Sequence, residues 1–419
     1  MKKILTIFLC LLCLSVVETA AQSISGIQKQ DTANAEISEQ NDLKACGFPF
    51  SDNNRVTFLK TGHDKFEDLF QHIKQARTFI HMEYFNFRND SINALLISLL
   101  HEKVKDGVEV RVMYDAFGNS SNNRPFSRAK HDSISALGIQ LEKFDPIRFP
   151  WVNHIYPRDH RKIVVIDGKH AYTGGMNVAD YYIEGLEGIG PWRDMHMRIE
   201  GPAVNDLHDI FVQMWAKQTG YLLSGAKYFP VHSQKEGNVR LAVVDRHPRT
   251  GNKAIRQLYV SMLDNAKKNV RIINPYFVPT RSVRKAIERA IKRGVDVQIM
   301  VSEKSDIPLT PDATHYVAWQ LAKKGATVYM FQNGFHHTKI MTVDDEFCTV
   351  GSANLNSRSL RYDYEINMAI FDHATTMEMV NMFEDDKKSS VILDQEKWNQ
   401  KTAWKKGVAW FGHLLTPFL

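Results

Sequence analysis

The chain has 419 residues, 43% apolar and 11% aromatic, more than one ordinary core accommodates and enough for two domains. That composition excludes a disordered, collagen-like or coiled-coil chain, and a net charge of +6 suits an anionic partner, nucleic acid and anionic lipid alike. Four cysteines exclude a disulfide framework: Cys10 and Cys13 lie in an apolar N-terminal run, and Cys46 and Cys348 could form at most one bridge.

In chain order, Lys2 and Lys3 precede an apolar run from Ile4 to Val17, followed by Thr19, Ala20 and Ala21. A basic start, an apolar centre and a small-residue end predict a secretory signal peptide over 1–21, or a short anchor. The run is shorter than the roughly 18–20 residues that span a bilayer. The chain is therefore expected in the cell envelope, exported and membrane-associated, on the periplasmic side of the inner membrane. Residues 22–55 are polar and poorly periodic, and read as a flexible linker.

Beyond this point the sequence repeats itself. The first half predicts a helix ending near Ala76, a strand over Thr78–Phe87, a helix to Lys105, Gly107, and a strand over Val108–Tyr114. The second predicts a helix ending near Ala266, a strand over Val270–Phe277, a helix over Ser282–Lys292, Gly294, and a strand over Val295–Val301. "KDGVEVRVMYD" stands beside "KRGVDVQIMVS", each glycine placed to cap its helix with a positive φ. Leu137–Phe144 likewise matches Lys324–Phe331. Short strands alternating with helices predict an α/β fold of two similar domains facing each other, each a mainly parallel sheet covered by helices. The domains are expected over 56–222 and 240–393, with a linker at 223–239 and an amphipathic tail at 394–419.

Both halves converge on one pattern. His160, Lys162 and Asp167 form H-x-K-x4-D, and His337, Lys339 and Asp344 form it again. Gly174, Gly175 and Asn177 follow the first at the same offset as Gly351, Ser352 and Asn354 follow the second. A lone H-x-K is usually an ordinary strand-edge pair; two equally flanked copies at equivalent points of a repeat are not. In an extended segment, His and Lys two residues apart project from one face. The flanking Gly-x-Asn turn can bring backbone N–H groups and a carboxamide to a bound anion. Two such faces meeting would surround a phosphodiester with two imidazoles, two ammonium groups and two carboxamides.

This doubled motif resembles the HKD signature of the phospholipase D superfamily, and the halves resemble its two duplicated domains with an active site at their interface. Within the superfamily, "RTFIHMEYFNFRND", "GVEVRVMYDAFGN", "DHRKIVVIDGKHAYTGGMN", "PWRDMHMRIEGPAV", "INPYFVPT" and "YDYEIN" look like segments of bacterial cardiolipin synthases. The resemblance runs from about Val56 to the C-terminus. It implies that one motif histidine attacks phosphorus and becomes phosphorylated, while the other protonates the departing alcohol and deprotonates the incoming one. By this resemblance His160 would be the nucleophile and His337 the acid and base. An acidic residue after each motif would hold that motif's histidine: Asp194 for the first and Glu365 for the second. Asp167 and Asp344 would fix local structure rather than touch substrate. The resemblance implies no metal or other cofactor, and no zinc or calcium motif is present in the sequence.

Substrate choice must come from outside the motif. Ile147–Pro157 and Tyr181–Trp192 mix aromatic, apolar and proline residues, and read as loops that could enter the lipid interface or pack on the protein. Trp404, Val408, Phe411 and Leu415 recur at helical spacing with Lys401, Lys405 and Lys406 nearby, and Trp398, Trp410 and Phe418 add aromatic surface. The function so implied is cardiolipin synthesis from phosphatidylglycerol at a membrane surface. The alternatives are a secreted phospholipase D-type phosphodiesterase or a nuclease with water as acceptor, and an inactive lipid-binding relative. Internal duplication and a thin basic character argue against nucleic acid as partner, and two intact motifs argue against loss of catalysis. Cardiolipin synthases often begin with two transmembrane helices, and this chain has a signal-like segment instead, which leaves membrane topology open.

Overall fold

The computed structural model describes residues 48–146, 156–250, 253–308 and 310–394, with 396 and 398. The proposed signal peptide, most of the 22–55 segment, residues 147–155 of the first loop and the amphipathic tail beyond Trp398 lie outside the described residues.

The first half runs β1 (Phe50–Leu59), α1 (Gly62–Gln75), β2 (Phe79–Tyr84), α2 (Ser91–Lys105) and β3 (Glu109–Asp115). It continues α3 (Ala116–Ser121), α4 (Arg128–Ser135), β4 (Gln140–Phe144), β5 (Lys162–Ile166) and β6 (His170–Gly174). The short α5 (Tyr181–Glu184), β7 (Trp192–Arg193), β8 (His196–Glu200) and α6 (Ala203–Thr219) complete it. The second half runs β9 (Val239–Arg246), α7 (Ala254–Asn265), β10 (Asn269–Ile273), α8 (Arg281–Lys292), β11 (Asp296–Ser302) and α9 (Thr310–Ala322). β12 (Thr327–Phe331), β13 (Phe335–His336), β14 (Ile340–Val343), β15 (Phe347–Gly351), α10 (Ser357–Arg361), β16 (Glu365–Phe371), α11 (His373–Lys387) and β17 (Ser390–Ile392) follow. Strand β1 starts at Phe50, inside the segment read as a linker.

The local signals explain the elements. Asp90 caps α2 by accepting from Asn93 N, and Gly107 and Gly294 close the helices before β3 and β11 at φ of +84° and +86°. Helix α8 buries Val283, Ala286, Ile287 and Ala290, spaced to form one apolar stripe.

The strands join in one 15-stranded sheet in the order β17-β12-β11-β10-β14-β15-β16-β9-β1-β8-β6-β5-β2-β3-β4. The repeat is visible in this order, because each half counts outward from the antiparallel β1–β9 seam. The expectation of parallel strands holds for β2–β3–β4 and β10–β11–β12. The remainder of each half is antiparallel, so the sheet is mixed rather than mainly parallel. The reason is the motif itself: the strands after Lys162 and Lys339 turn back within a few residues, and such short turns connect only antiparallel neighbours. At those turns Asp167 and Asp344 both have φ of +55°, followed by Gly168 and Asp345 at +64°.

A shared core fastens the halves: Ile163, Val165 and Met197 of the first pack with Ile340, Val350 and Met368 of the second. Two small crossings complete the seam. β7 pairs in parallel with β13, and Asp159 bridges Tyr364 in the same sense. Each crossing carries an acidic residue of one half to the motif of the other.

Candidate active site

Strands β5 and β14 lie on opposite sides of the seam and lead their motif histidines into one cavity of about 580 Å³. His160, His337, Asn177 and Asn354 all line it. Lys162 and Lys339 are buried beside them, and each donates to the backbone carbonyl of its own histidine at 2.5 Å. Lys339 Nζ also lies 3.2 Å from His337 Nε2. The extended H-x-K segments thus put imidazole and ammonium together, as the spacing requires. The side-chain oxygens of Asn177 and Asn354 are buried without hydrogen-bond partners in the protein. That is a polar lining awaiting a ligand.

The acids are crossed relative to expectation. Asp194 accepts from Nδ1 of His337 at 2.6 Å, and Glu365 accepts from Nδ1 of His160 at 3.0 and 3.1 Å. Each therefore holds the histidine of the other half, not that of the motif it follows. The cause is the paired crossings: His337 N donates to Arg193 O at 2.6 Å, and His160 N donates to Tyr364 O at 3.0 Å. Those bonds set each histidine beside the residue that follows its partner strand, Asp194 or Glu365. With Nδ1 engaged in this way, Nε2 is the nitrogen of each ring that can turn to a ligand.

Asp167 and Asp344 do not reach the cavity. Asp167 accepts from Arg77 N, Thr78 N and Phe79 N at 2.8–3.0 Å and from the Thr78 hydroxyl at 2.7 Å. Asp344 accepts from Lys267 N, Lys268 N and Asn269 N at 2.6–3.0 Å. Each pins the start of the neighbouring strand and so fixes the register on which its motif rides.

Burial sets the protonation states. It lowers Lys162 to about 7 against the attraction of Glu365, and Lys339 to about 8 against Asp194 and Glu365. His160 is held well below the usual histidine range by burial, then by Lys162 and Lys339. His337 is lowered by burial and Lys339, with Asp194 opposing. Burial raises Glu365 to about 7 although Lys162 and the Ser352 hydroxyl oppose it. Burial also pushes Asp194 upward, but Lys339 and His337 outweigh it and hold the carboxyl below its ordinary value. Both histidines are thus neutral at pH 7, and an anion bound beside the lysines would favour their charged forms.

Further side chains surround the histidines in contacts that the sequence did not reveal. Ser352 donates to Glu365 at 2.5 Å, and Phe85 packs at a steep angle to His160 with ring centroids 4.9 Å apart. Trp192 and Tyr276 pack 5.2 and 5.8 Å from His337. On the opposite face of the first motif, buried Arg161 reaches Glu83 at 3.0 Å and Asp245 at 2.9 Å. A carboxylate inside the apolar strand Thr78–Phe87 and an arginine between His160 and Lys162 were the available signals for that network. The Tyr181–Trp192 segment faces inward: Tyr181, Tyr182, Leu186 and Trp192 line the cavity, and Ile183 is exposed. Trp398, expected to add surface, is buried and stacks 5.7 Å from Trp319.

The family model described as "Cardiolipin synthase, PLD-like domain" matches residues 69–215 and 259–387. The chain is 34% identical over 375 residues to cardiolipin synthase 1 of Staphylococcus epidermidis, covering 88% of this chain and 75% of that one. It is also 34% identical over 373 residues to the major cardiolipin synthase ClsA of Bacillus subtilis, covering 88% and 76%. Among solved structures, phosphatidylserine synthase of Haemophilus influenzae superposes with a TM-score of 0.68 at 14% identity, over 92% of this chain and 100% of that one. That last likeness is one of fold.

Proposed function

Because this chain belongs to the phospholipase D-like cardiolipin synthase family, we propose that it transfers a phosphatidyl group from one phosphatidylglycerol to another, releasing glycerol, through a phosphohistidine intermediate. The observation that carries this reading is the crossed pair of histidine–acid couples on one cavity, with a lysine and a carboxamide from each half. His160 Nε2 attacks phosphorus. The P–O bond to the donor's glycerol breaks, and His337, having taken up a solvent proton beside the ionised Asp194 as the phosphodiester binds, gives that oxygen the proton. A hydroxyl of the second phosphatidylglycerol then gives its proton to His337 and attacks phosphorus, and the N–P bond breaks. Lys162, Lys339, Asn177 and Asn354 hold the non-bridging oxygens, where charge develops in each transition state. The reading needs no metal.

It also sets the reaction at a membrane surface outside the cytoplasm, a location that rests on the basic and apolar N-terminal segment. No helix among the described residues is long and apolar enough to cross a membrane. The test is lipid chromatography of purified protein incubated with phosphatidylglycerol vesicles and chelator, beside His160→Ala and His337→Ala. Cardiolipin and glycerol, lost in both variants, are expected. Phosphatidic acid alone would make the enzyme a hydrolase, and no lipid turnover by folded protein would return the nuclease alternative.

A further inference from the structure

Arg88 lies just past the end of β2, and its residue is nine-tenths buried in the cavity wall. Its charge is met at the long limit of an ion pair, with no hydrogen bond made. The nearest carboxylate oxygen, Asp90 Oδ2, stands 3.9 Å from Nε. Both Asp90 oxygens already accept backbone N–H groups, from Asn93 at 3.3 Å and Asp180 at 2.8 Å. Nε of Arg88 is buried with no hydrogen-bond partner. A buried cation paired only at this distance, with an unmet N–H, gains from an anion that joins it.

The surroundings say where that anion belongs. The Arg88 guanidinium stands 5.6 Å over the Tyr181 ring, Tyr181 packs 4.5 Å from Trp192, and Trp192 packs 5.2 Å from His337. The cation therefore ends a ladder of rings that begins at the histidine handling the alcohol proton. The other cavity arginine, Arg358, is already paired with Asp363 at 2.7 Å. The repeat supplies no counterpart either: with Phe79 on Asp167 as Asn269 is on Asp344, Arg88 aligns with Val278. The donor phosphate sits between two matched motifs, and a second phosphate needs a cation on one side only. Asp306, the carboxylate on this side, is solvent-exposed and accepts from the Tyr276 hydroxyl at 2.6 Å.

We propose that Arg88 binds the phosphodiester of the acceptor lipid, one glycerol unit away from the hydroxyl that attacks the phosphoenzyme. This rests on phosphatidylglycerol being the acceptor. In the step concerned, the acceptor's oxygen forms the new P–O bond, the His160 N–P bond breaks, and the proton passes to His337. Arg88 takes no part in those bonds. It selects an acceptor that carries its own phosphate over glycerol or water, which do not.

The experiment compares two discharges of the same phosphoenzyme by the full chain on phosphatidylglycerol vesicles: cardiolipin formation, and incorporation of radiolabelled glycerol into phosphatidylglycerol. In Arg88→Gln, cardiolipin formation is expected to fall about tenfold or more relative to glycerol incorporation. The loss should appear as a raised KM for the acceptor. Arg88→Lys keeps the charge without the planar fork and should lower the ratio about threefold. If Arg88→Gln does not fold, judged by thermal unfolding, the lysine variant decides. Equal losses of both products, or an unaltered ratio, would overturn the assignment. Wild-type protein yielding phosphatidic acid but no cardiolipin would instead overturn the synthase reading.

Discussion

His337 meets Asp194 at 2.6 Å, whereas His160 shares both oxygens of Glu365 at 3.0 and 3.1 Å. Asp194 packs against Gly175, where a Cβ would stand only 2.2 Å from its Oδ1. Glu365 takes a hydroxyl from Ser352, the residue at the equivalent place. The shorter acid is held below the ordinary carboxyl range, chiefly by Lys339 and His337 against the effect of burial, and the longer one is raised by burial to about 7. Two motifs of one sequence pattern have thus been given different electrostatics. On the proposed mechanism, an ionised Asp194 suits an imidazolium that must form and give up a proton, and His160 attacks uncharged, a state that burial and the two lysines favour. The difference also runs behind the motifs, where Arg161 sits among Glu83, Asp159 and Asp245 while its counterpart Thr338 has a buried hydroxyl without a hydrogen-bond partner.

The largest effects are expected at the histidines. Either alanine variant should lose about 10⁴-fold in cardiolipin formation, and the double variant should lose little more, since the two act as a unit. A donor phosphodiester with a p-nitrophenyl leaving group needs no proton from the enzyme. With it, His337→Ala should still accumulate acid-labile phosphoprotein, and His160→Ala should accumulate none. Label in His160→Ala instead would exchange the two roles. The acids come next. Asp194→Asn should lower kcat about 10³-fold and Glu365→Gln about 10²-fold, because the first removes a fixed charge and the second a partly neutral group. Equal losses would mean that the difference in ionisation has no catalytic consequence.

A smaller effect, on stability rather than chemistry, separates Asp344 from Asp167. Both tie down backbone N–H groups at the start of a strand, but Asp344 is 2% exposed and Asp167 only half-buried. Replacement by alanine should cost about 3 kcal/mol at Asp344 and about 2 kcal/mol at Asp167, from unmade bonds to an ionised group. The shift of the urea midpoint measures this. A kcat per folded molecule reduced by more than about tenfold would mean that these carboxylates reach the chemistry after all.

These contrasts mark how far the sequence could be read. The repeat, the helices and the outer parallel strands were legible because apolar periodicity and the two capping glycines are local signals. The paired motif named the cavity's histidines, lysines and carboxamides because an extended H-x-K segment aims both side chains one way. The crossing of Asp194 and Glu365 was not legible. It depends on which half's backbone lies beside each motif, a contact between residues 143 and 205 positions apart. Nor could the antiparallel strands around the seam be read from hydrophobicity, since a strand buried on both faces reads alike in either direction. Ser352 looked like a variant of Gly175 until Glu365 was seen against it.

Ser352 therefore gives the finest test of the asymmetry. The reactive form needs Glu365 ionised, to accept from Nδ1 of His160, and the lysines charged, to hold phosphate. As pH falls through about 7, Glu365 takes a proton and the rate drops; as it rises through about 7 to about 8, Lys162 and Lys339 lose theirs and the rate drops again. The profile of kcat/KM should be a narrow bell near neutrality. The Ser352 hydroxyl lowers the pKa of Glu365. Ser352→Ala should therefore raise that pKa and move the acid limb to higher pH, by roughly half a unit to one unit for the loss of one hydrogen bond. The alkaline limb should stay near its place. A limb that does not move would show that some group other than Glu365 governs the acid side. The mirror substitution, Gly175→Ser, has no room to confer the same bond on Asp194, because its Cβ would already collide with the carboxylate.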